Sequence, residues 1–420
     1  MPSADTHRAI EAVWRIESAK IIAVVARMVR DVGLAEELAQ DALLSALETW
    51  PRAGVPDNPA AWLMTAARRR AIDRLRREQM LARQHVVLAR EVPGYVAGTE
   101  DALDERLDDS VGDDLLRLIF TACHPALSTD ARVALTLRLL GGLTTDEIAR
   151  AFLTPEPTIA QRIVRAKKTL REAGVTFEAP HADELPARLA SVEEVIYLVF
   201  NEGYSPTAGD AWVRPELCDE ALRLGRILAE LTPGESEVHG LVALMEIQAS
   251  RLHARLGPDG EPVLLLDQDR SRWDHLLIRR GVAALERAER LGGTAGPYQL
   301  QAAIAAVHAR ARTAEDTDWE RMVRAYDALL ALVPSPIVAL NRAVAVSMAS
   351  GPAEGLLAVD ALASEPALSR YHLLPSVRGD LLRKLGRVDE ARAEFERAAS
   401  LTHNERERTL LLERARNISR

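Results

Sequence analysis

The chain has 420 residues, of which 48% are hydrophobic and 27% charged, and this length predicts two or three domains and excludes a single small module. Its net charge is −9, and its apolar runs are far shorter than the roughly 20 residues that span a bilayer. The N-terminus carries charges before any apolar run, unlike a signal peptide, so we expect a cytoplasmic protein without a membrane segment.

The residues that could support metal or catalytic chemistry are few. Cys123 and Cys218 lie far apart and form no CxxC motif, which argues against disulfides and zinc sites. His124 follows Cys123, but two adjacent ligands without further ones make a poor metal site. No nucleophile, phosphate-binding glycine loop or carboxylate pair has the pattern of a catalytic centre. We therefore expect no cofactor, no metal and no enzymatic activity.

Apolar residues recur at helical spacing along almost the whole chain, and this pattern predicts an all-α fold. Residues 79–114 lose that spacing, and residues 91–114 hold nine acids against one base, Arg106, so we expect a flexible acidic linker there. Glycine and prolines interrupt the pattern again near residues 174–186. The predicted domains are residues 1–90, an acidic linker at 91–112, residues 113–175 and residues 180–420.

The first distinctive helix has an acidic outer face. Its predicted buried side comprises Ala39, Ala42, Leu43, Ala46, Leu47 and Trp50. Its predicted exposed side comprises Glu37, Gln40, Asp41, Leu44 and Glu48. A leucine within an acidic face suggests a protein partner, although single exposed leucines are common on any helix.

The next helix, predicted from Ala60 to Glu78, is rich in arginine. Its apolar stripe comprises Met64, Ala67, Ala71 and Leu75. Arg69, Arg70, Arg76 and Arg77 lie on the opposite side. One face can therefore pack while the other binds phosphate, but most such charge runs are simply solvated helix faces.

Residues 142–168 have the pattern of a helix-turn-helix. Thr144 or Thr145 can cap a short helix, a turn follows at Leu153 to Glu156, and Pro157 suits the first turn of a second helix. The stripe Ile159, Ile163, Ala166 and Leu170 is predicted to be buried. Thr158, Gln161, Arg162, Arg165 and Lys168 are then turned outward, as a DNA recognition helix requires. The alternative is an ordinary helical hairpin with a basic face.

The C-terminal part contains a short internal repeat. Gly351 and Gly386 each begin a similar glycine-containing turn between two helical stretches, and they are 35 residues apart, close to the 34-residue tetratricopeptide period. Stacked helical hairpins form concave surfaces for peptides or partner proteins. A capping bundle without a ligand is the alternative.

Several polar residues of this part require a separate explanation. Residues 201–204 (Asn-Glu-Gly-Tyr), with Asp267, Asp269, Arg270 and Trp273, are predicted to form a structural hydrogen-bonded network, with a ligand site as the alternative. His308 lies on an apolar helix, and we expect it to be a core histidine with its hydrogen bonds satisfied.

The order of these features resembles the extracytoplasmic-function (ECF) RNA polymerase sigma factors. An acidic helix, an arginine helix that starts near Trp62, an acidic linker and a basic helix-turn-helix follow one another, and residues 10–172 carry the resemblance. It implies a non-enzymatic promoter-specificity subunit with a region 2 bundle and a region 4 helix-turn-helix. As a separate hypothesis, we expect the acidic linker to run near the basic nucleic-acid channel of the polymerase and its charge to mimic a nucleic-acid strand there.

The resemblance assigns a role to each exposed set of residues. It implies that Glu37, Gln40, Asp41 and Leu44 contact the clamp helices of the polymerase core. It places Trp62, Arg69, Arg70, Asp73, Arg76 and Arg77 near the −10 promoter element. It places Thr158, Gln161, Arg162, Arg165 and Lys168 at the −35 element.

The remaining length departs from the minimal family pattern, because such factors end near the equivalent of residue 175. Segments at residues 114–127, 198–204, 267–270 and 296–309 resemble the subgroup with a tetratricopeptide-like C-terminal extension. That resemblance implies control by the fused domain in place of a membrane anti-sigma factor, and gene neighbours of the DGPF type.

Two other functions remain open at this point. A conventional regulator would bind operator DNA alone and use the repeats as a sensor. A repeat scaffold would bind neither polymerase nor promoter DNA, its basic helices being solvated faces.

Overall fold

A computed structural model describes residues 2–87, 111–206, 211–258 and 260–417, without the side chains of residues 2–5 and 81–87. Within these ranges the regular elements are helices, and the all-α prediction is confirmed. None of the helices in the described ranges is long and apolar enough to cross a membrane.

The α-helices are α1 (Pro2–Val29), α2 (Val32–Ala53), α3 (Pro59–Val87), α4 (Val111–Ala122), α5 (Thr129–Leu139), α6 (Thr145–Ala151), α7 (Glu156–Glu172), α8 (Leu185–Tyr204), α9 (Pro215–Leu231), α10 (Ser236–Ala249), α11 (His275–Leu291), α12 (Pro297–Arg310), α13 (Trp319–Leu332), α14 (Pro336–Ser350), α15 (Pro352–Asp360), α16 (Leu373–Lys384), α17 (Val388–Leu401) and α18 (Glu405–Arg416). Short 3₁₀ turns occur at Leu252–Ala254, Leu265–Asp267, Arg270–Arg272 and Pro366–Leu368. The helices form two compact units, Met1–Ile196 and Tyr197–Arg420.

The first unit begins with a bundle in which α1, α2 and α3 pack on one another. Small residues make the close approach of α2 possible, because Ala35, Ala39, Ala42 and Ala46 are fully buried along one side of this helix. Trp50 closes the end of the same stripe and is also buried. The bundle therefore holds α2 and α3 with their polar faces outward.

The second part of the first unit comprises α4 to α7 and the beginning of α8. Helix α4 packs on α1, and α5 packs on α7. Arg188 of α8 donates a hydrogen bond of 2.7 Å to the carbonyl of Phe120, and Ser191 donates one of 2.7 Å to the carbonyl of Cys123. The first turns of α8 are therefore part of the first unit.

The second unit is a succession of helices in which neighbours along the chain pack together, from α9 on α10 to α17 on α18. Gly351 and Gly386, the two glycines of the short internal repeat, lie at equivalent turns and have φ angles of 103° and 75°. This left-handed region favours glycine, which explains the residue at both turns. The hairpins share a core that contains Leu340, Leu381 and Phe395.

The helices extend further into the acidic segment than the sequence pattern predicts. The predicted loss of helix over residues 79–114 is wrong at both ends, because α3 continues to Val87 and α4 begins at Val111. The first proline after Glu78 is Pro93, and Asp113 and Asp114 favour the start of α4 through the helix dipole. Residues 88–110, which include most of the predicted linker, lie outside the described residues, and the limits at 90, 112 and 180 stay predictions.

Candidate nucleic-acid interface

The acidic face of α2 lies at the surface. Asp31 caps the helix by accepting a 2.9 Å hydrogen bond from the Leu34 amide. Glu37, Asp41 and Leu44 are exposed, with Leu44 at 56%. Gln40 is half-buried, because its side-chain amide donates a 2.5 Å hydrogen bond to Glu36. The four residues predicted to contact a protein therefore share one side of α2.

The arginine helix α3 begins after Asn58, whose side chain accepts a 3.1 Å hydrogen bond from the Ala61 amide. Its buried stripe comprises Leu63, Ala67 and Ala71, whereas Met64 and Leu75 are half-buried. The predicted stripe is thus wrong by one position at its start, because Leu63 takes the place expected for Met64. Trp62 is half-buried and packs edge-on against Trp50, with 5.4 Å between ring centroids.

The cations of α3 do not all face solvent. Arg69, Asp73, Arg76 and Arg77 are exposed. Arg70, by contrast, is half-buried, donating a 3.0 Å hydrogen bond to the carbonyl of Ala66 and another to the hydroxyl of Ser45 on α2. Arg70 therefore fixes α3 against α2, whereas Arg69, Asp73, Arg76 and Arg77 lie at the surface of the helix.

The helix-turn-helix consists of α6 and α7. Thr144 and Glu147 form a reciprocal capping box, with hydrogen bonds of 3.2 Å to the Thr144 hydroxyl and 2.8 Å to the Glu147 carboxylate. The turn places Leu153 in the left-handed region, at φ 48°. The buried residues of α7 are Ile159, Ile163, Ala166 and Leu170, so the stripe predicted from the sequence is confirmed.

The outward face of α7 is accessible. Thr158, Gln161, Arg165 and Lys168 are exposed, and Arg162 is half-buried with a 3.1 Å ion pair to Asp130. All of these except Lys168 line one shallow cavity of 380 Å³ beside the start of α5. Lys168 lies one turn further along and pairs with Glu172 at 3.5 Å. The arrangement suits contact with a phosphate backbone and base edges.

Ion pairs join α2 to the helix-turn-helix, a relationship that the sequence analysis missed. Glu36 is buried in α2 and pairs with Arg138 of α5 at 2.7 Å and with Lys167 of α7. Arg171 of α7 pairs with Asp31 at 2.8 Å. The sequence feature that could have indicated these ion pairs is Glu36, because an acid beside the buried alanine stripe of α2 needs a cationic partner.

Two carboxylates in this unit have perturbed acidities. Burial raises the pKa of Asp31, but hydrogen bonds from Arg171 and from the Leu34 and Gly33 amides outweigh it and lower the pKa overall. For Asp114, burial dominates and raises the pKa despite the charges of Arg27 and Arg117. Both carboxylates pair with arginines, at 3.3 Å or less.

Cys123 lies in the core of the first unit. Cys123 is free and buried, and burial raises its pKa to about 11. Its sulfur lies 3.4 Å from the hydroxyl of Thr136. In the ranges that the structure describes, no three His, Cys, Asp or Glu side chains cluster as metal ligands.

The polar residues of the second unit form a network of arginines and aromatic rings. Arg251 donates a 2.7 Å hydrogen bond to the Tyr204 hydroxyl, and the guanidinium carbons of Arg251 and Arg270 lie 5.7 and 5.0 Å from the Trp273 ring. Asp269 instead accepts a hydrogen bond from the nearby Ser271 amide. The residues predicted to form one network therefore do not all belong to it. Tyr204 and Trp273 pack against arginines, whereas Asp269 bonds within its own turn.

His308 differs from its prediction. The Nδ1 atom of His308 is buried without a hydrogen-bond partner among the described residues, so the prediction of a satisfied histidine is wrong. Burial, with the charges of Arg251 and Arg270, lowers its pKa to about 3. The ring packs edge-on against Trp319 at 5.3 Å.

Three family models match separate stretches of this chain. Residues 15–80 match Sigma-70 region 2, residues 117–170 match Sigma-70 region 4, and residues 188–289 match a family of unknown function (DUF6596). An uncharacterized protein of Rhizobium meliloti (strain 1021) is 46% identical over 379 residues, which cover 90% of this chain and 88% of that protein.

Two relatives that carry the name of a sigma factor match about a third of this chain. The ECF RNA polymerase sigma factor SigK of Mycobacterium ulcerans (strain Agy99) is 34% identical over 158 residues, which are 36% of this chain and 78% of SigK. SigK of Mycobacterium tuberculosis (strain ATCC 25618 / H37Rv) is 34% identical over 156 residues, with the same coverage of each chain.

Proposed function

Because this chain belongs to the ECF family of RNA polymerase sigma factors, we propose that three exposed helix faces bind core polymerase, the −10 element and the −35 element, and that the fused second unit controls initiation. A sigma factor is an initiation factor and not an enzyme. In the proposal, Glu37, Gln40, Asp41 and Leu44 of α2 bind the clamp helices of core polymerase. The arginine helix α3 engages the −10 element, and α7 engages the −35 element.

The outward face of α7 is the observation that carries the proposal. Gln161 and Arg165 are exposed on a helix whose opposite side is fully packed, within the stretch that matches region 4. Side chains of these two types read base edges in the major groove and bind phosphates. The capping box of α6 supports the same role, because it fixes the turn that orients α7.

Promoter binding by both DNA-contacting surfaces requires the first unit to open. The names of the −35 and −10 elements place them roughly 25 base pairs apart, about 85 Å of duplex at 3.4 Å per base pair. A compact unit of this length has a radius of gyration of about 16 Å and is roughly 40 Å across. The ion pairs of Glu36 and Asp31 with α5 and α7 must therefore break before α3 and α7 bind the two elements together.

Run-off transcription with purified core polymerase and the full chain tests the function, beside a gel shift without polymerase. We expect transcripts that depend on this chain and little binding by the chain alone. A duplex shift without polymerase, and no transcript, would instead favour a regulator that binds operators alone. Binding to neither polymerase nor promoter would favour a repeat scaffold.

The core-binding surface is tested by Leu44→Asp, which places a charge at an exposed apolar contact. We expect it to abolish co-purification with core polymerase. Val55→Asp is the matched control, because Val55 is another exposed apolar residue of this unit, outside the predicted surface. Equal loss in the two variants would assign the effect to general surface charge.

The proposed control by a tetratricopeptide-like second unit is tested by truncation. A stop at residue 180 would remove Arg188 and Ser191, which donate hydrogen bonds to the Phe120 and Cys123 carbonyls. A stop after Ser205 keeps these contacts and is the better design. We expect promoter activity to change, because a tethered domain acts at an effective concentration near the millimolar range. Unchanged activity would exclude both inhibition and assistance by the second unit.

A further inference from the structure

The second unit contains a cavity of 770 Å³ that no part of the proposed function uses. Residues 262–267 line it together with α12, α13, α14, α16 and α18. Residues 262–267 belong to the segment that connects α10 to α11, and the backbone of Leu264 within it is extended. The volume falls within the roughly 300–1,000 Å³ that is typical of small-molecule sites.

Most of the cavity wall is apolar. Met322 and Tyr326 of α13, Val344 and Met348 of α14 and Val377 of α16 contribute to it. Leu264 and Leu266 of the connecting segment also line it and remain 38% and 40% exposed. Methionine side chains adapt to ligands of different shape, so this wall suits the apolar body of a small molecule.

A group of cations lies at the α16 and α18 side of the cavity. Asp380 pairs with Arg383 at 3.1 Å, Lys384 at 3.0 Å and Arg414 at 2.6 Å. Asp267 is the other carboxylate of the lining. The cavity is thus lined by three permanent cations and two carboxylates, and one anionic group would neutralise the excess positive charge.

The polar groups contributed by α12 and α13 are uncharged. Burial raises the pKa of Tyr326 to about 12, and burial together with nearby arginines lowers that of His308 to about 3. Both side chains line the cavity and are neutral at pH 7. The Nδ1 atom of His308 is buried without a hydrogen-bond partner among the described residues, so a ligand donor at this position would satisfy it.

We propose that this cavity binds a small organic anion, with an apolar body against α13 and α14 and one carboxylate or sulfonate beside Arg383, Lys384 and Arg414. A small molecule fits better than a peptide, because residues 262–267 form one wall of the cavity and the single excess charge matches one anionic group. The inference goes beyond the sigma function and does not depend on it.

The test is calorimetric titration of the full chain with decanoate, decyl sulfate and 8-anilinonaphthalene-1-sulfonate. Decyltrimethylammonium, with the same alkyl chain and the opposite charge, is the comparison ligand. We expect at least one of the anions to bind with a stoichiometry of one, at least tenfold more tightly than the cation. Failure of all three anions to bind, or equal affinity for the cation, would overturn the proposal.

Two variants locate the binding. The double variant Arg383→Ala/Lys384→Ala removes two cations from the partly exposed rim and is expected to weaken anion binding at least tenfold. Val344→Trp fills the cavity and is expected to abolish binding, with circular dichroism to check the fold. Arg392→Ala/Arg397→Ala is the matched control, because both arginines lie on α17 outside the cavity lining. Binding that survives both cavity variants, or that the α17 control weakens equally, would overturn the site.

Discussion

Arg138 of α5 donates a 2.7 Å hydrogen bond to Glu36 of α2, a carboxylate that is only 3% exposed. The two residues are 102 positions apart and belong to the stretches that match region 4 and region 2. Lys167 of α7 pairs with the same carboxylate. One buried acid therefore holds the helix-turn-helix to the helix with the predicted core-binding face.

The substitution Glu36→Gln is expected to destabilise this packing by about 3 kcal/mol, because it leaves two cations facing a buried site without a countercharge. Urea unfolding of the full chain, followed by fluorescence of the tryptophans, measures the loss. Glu37→Gln is the control, since Glu37 is the exposed neighbour on the same helix. A loss of the same size in both variants would show that the ion pairs of Glu36 contribute nothing particular.

Substitution of Arg165 by alanine is expected to lower run-off transcription and to reduce the slope of log affinity against log salt by about 1, because one phosphate or base contact is lost. Filter binding of the holoenzyme to promoter DNA at several salt concentrations measures the slope. Arg324→Ala is the matched control, because Arg324 is an exposed cation of the second unit at 66%. The role of α7 at the promoter is contradicted by an unchanged slope for Arg165→Ala.

Removal of the Thr144 hydroxyl is expected to cost about 1 kcal/mol, because the Glu147 amide loses its capping partner. Thr144→Ala and Thr144→Ser are compared by thermal unfolding, and the serine variant should retain most of the stability. Thr145→Ala, one residue into α6, is the control. If the alanine variants at 144 and 145 unfold alike, the capping box does not stabilise the turn.

The stability of the second unit is expected to fall as the pH decreases from about 7 to 5. The unfolded chain takes up a proton on His308 near pH 6.5, whereas the folded chain does so only near pH 3, so each pH unit in this window favours unfolding by up to about 1.4 kcal/mol. Urea unfolding at pH 7, 6 and 5 measures the slope. His308→Gln should reduce it, and the exposed control His275→Gln should not. A wild-type slope in the His308 variant would contradict the buried neutral state.

Local patterns predicted the helix-turn-helix well, because everything that shapes it lies within 30 residues. The cap at Thr144, the turn near Leu153 and the apolar stripe of α7 all follow from short-range chemistry. The predicted stripe of α3 starts one position too late, because Leu63 and Met64 are adjacent apolar residues and local periodicity allows either to face inward. The positions of α1 and α2 decide for Leu63, and no local pattern reveals that choice.

Helical periodicity and turn chemistry are local, so the amino-acid sequence was enough to predict the all-α class, the two glycine turns of the second unit and most of the exposed residues of α2 and α7. The packing of distant helices was needed to show that Arg70 bonds to Ser45, that Glu36 joins α2 to α5 and α7, and that residues 262–267 line a cavity with a cationic side. Each of these depends on which helices become neighbours, and burial of long-range partners, not local propensity, selects them.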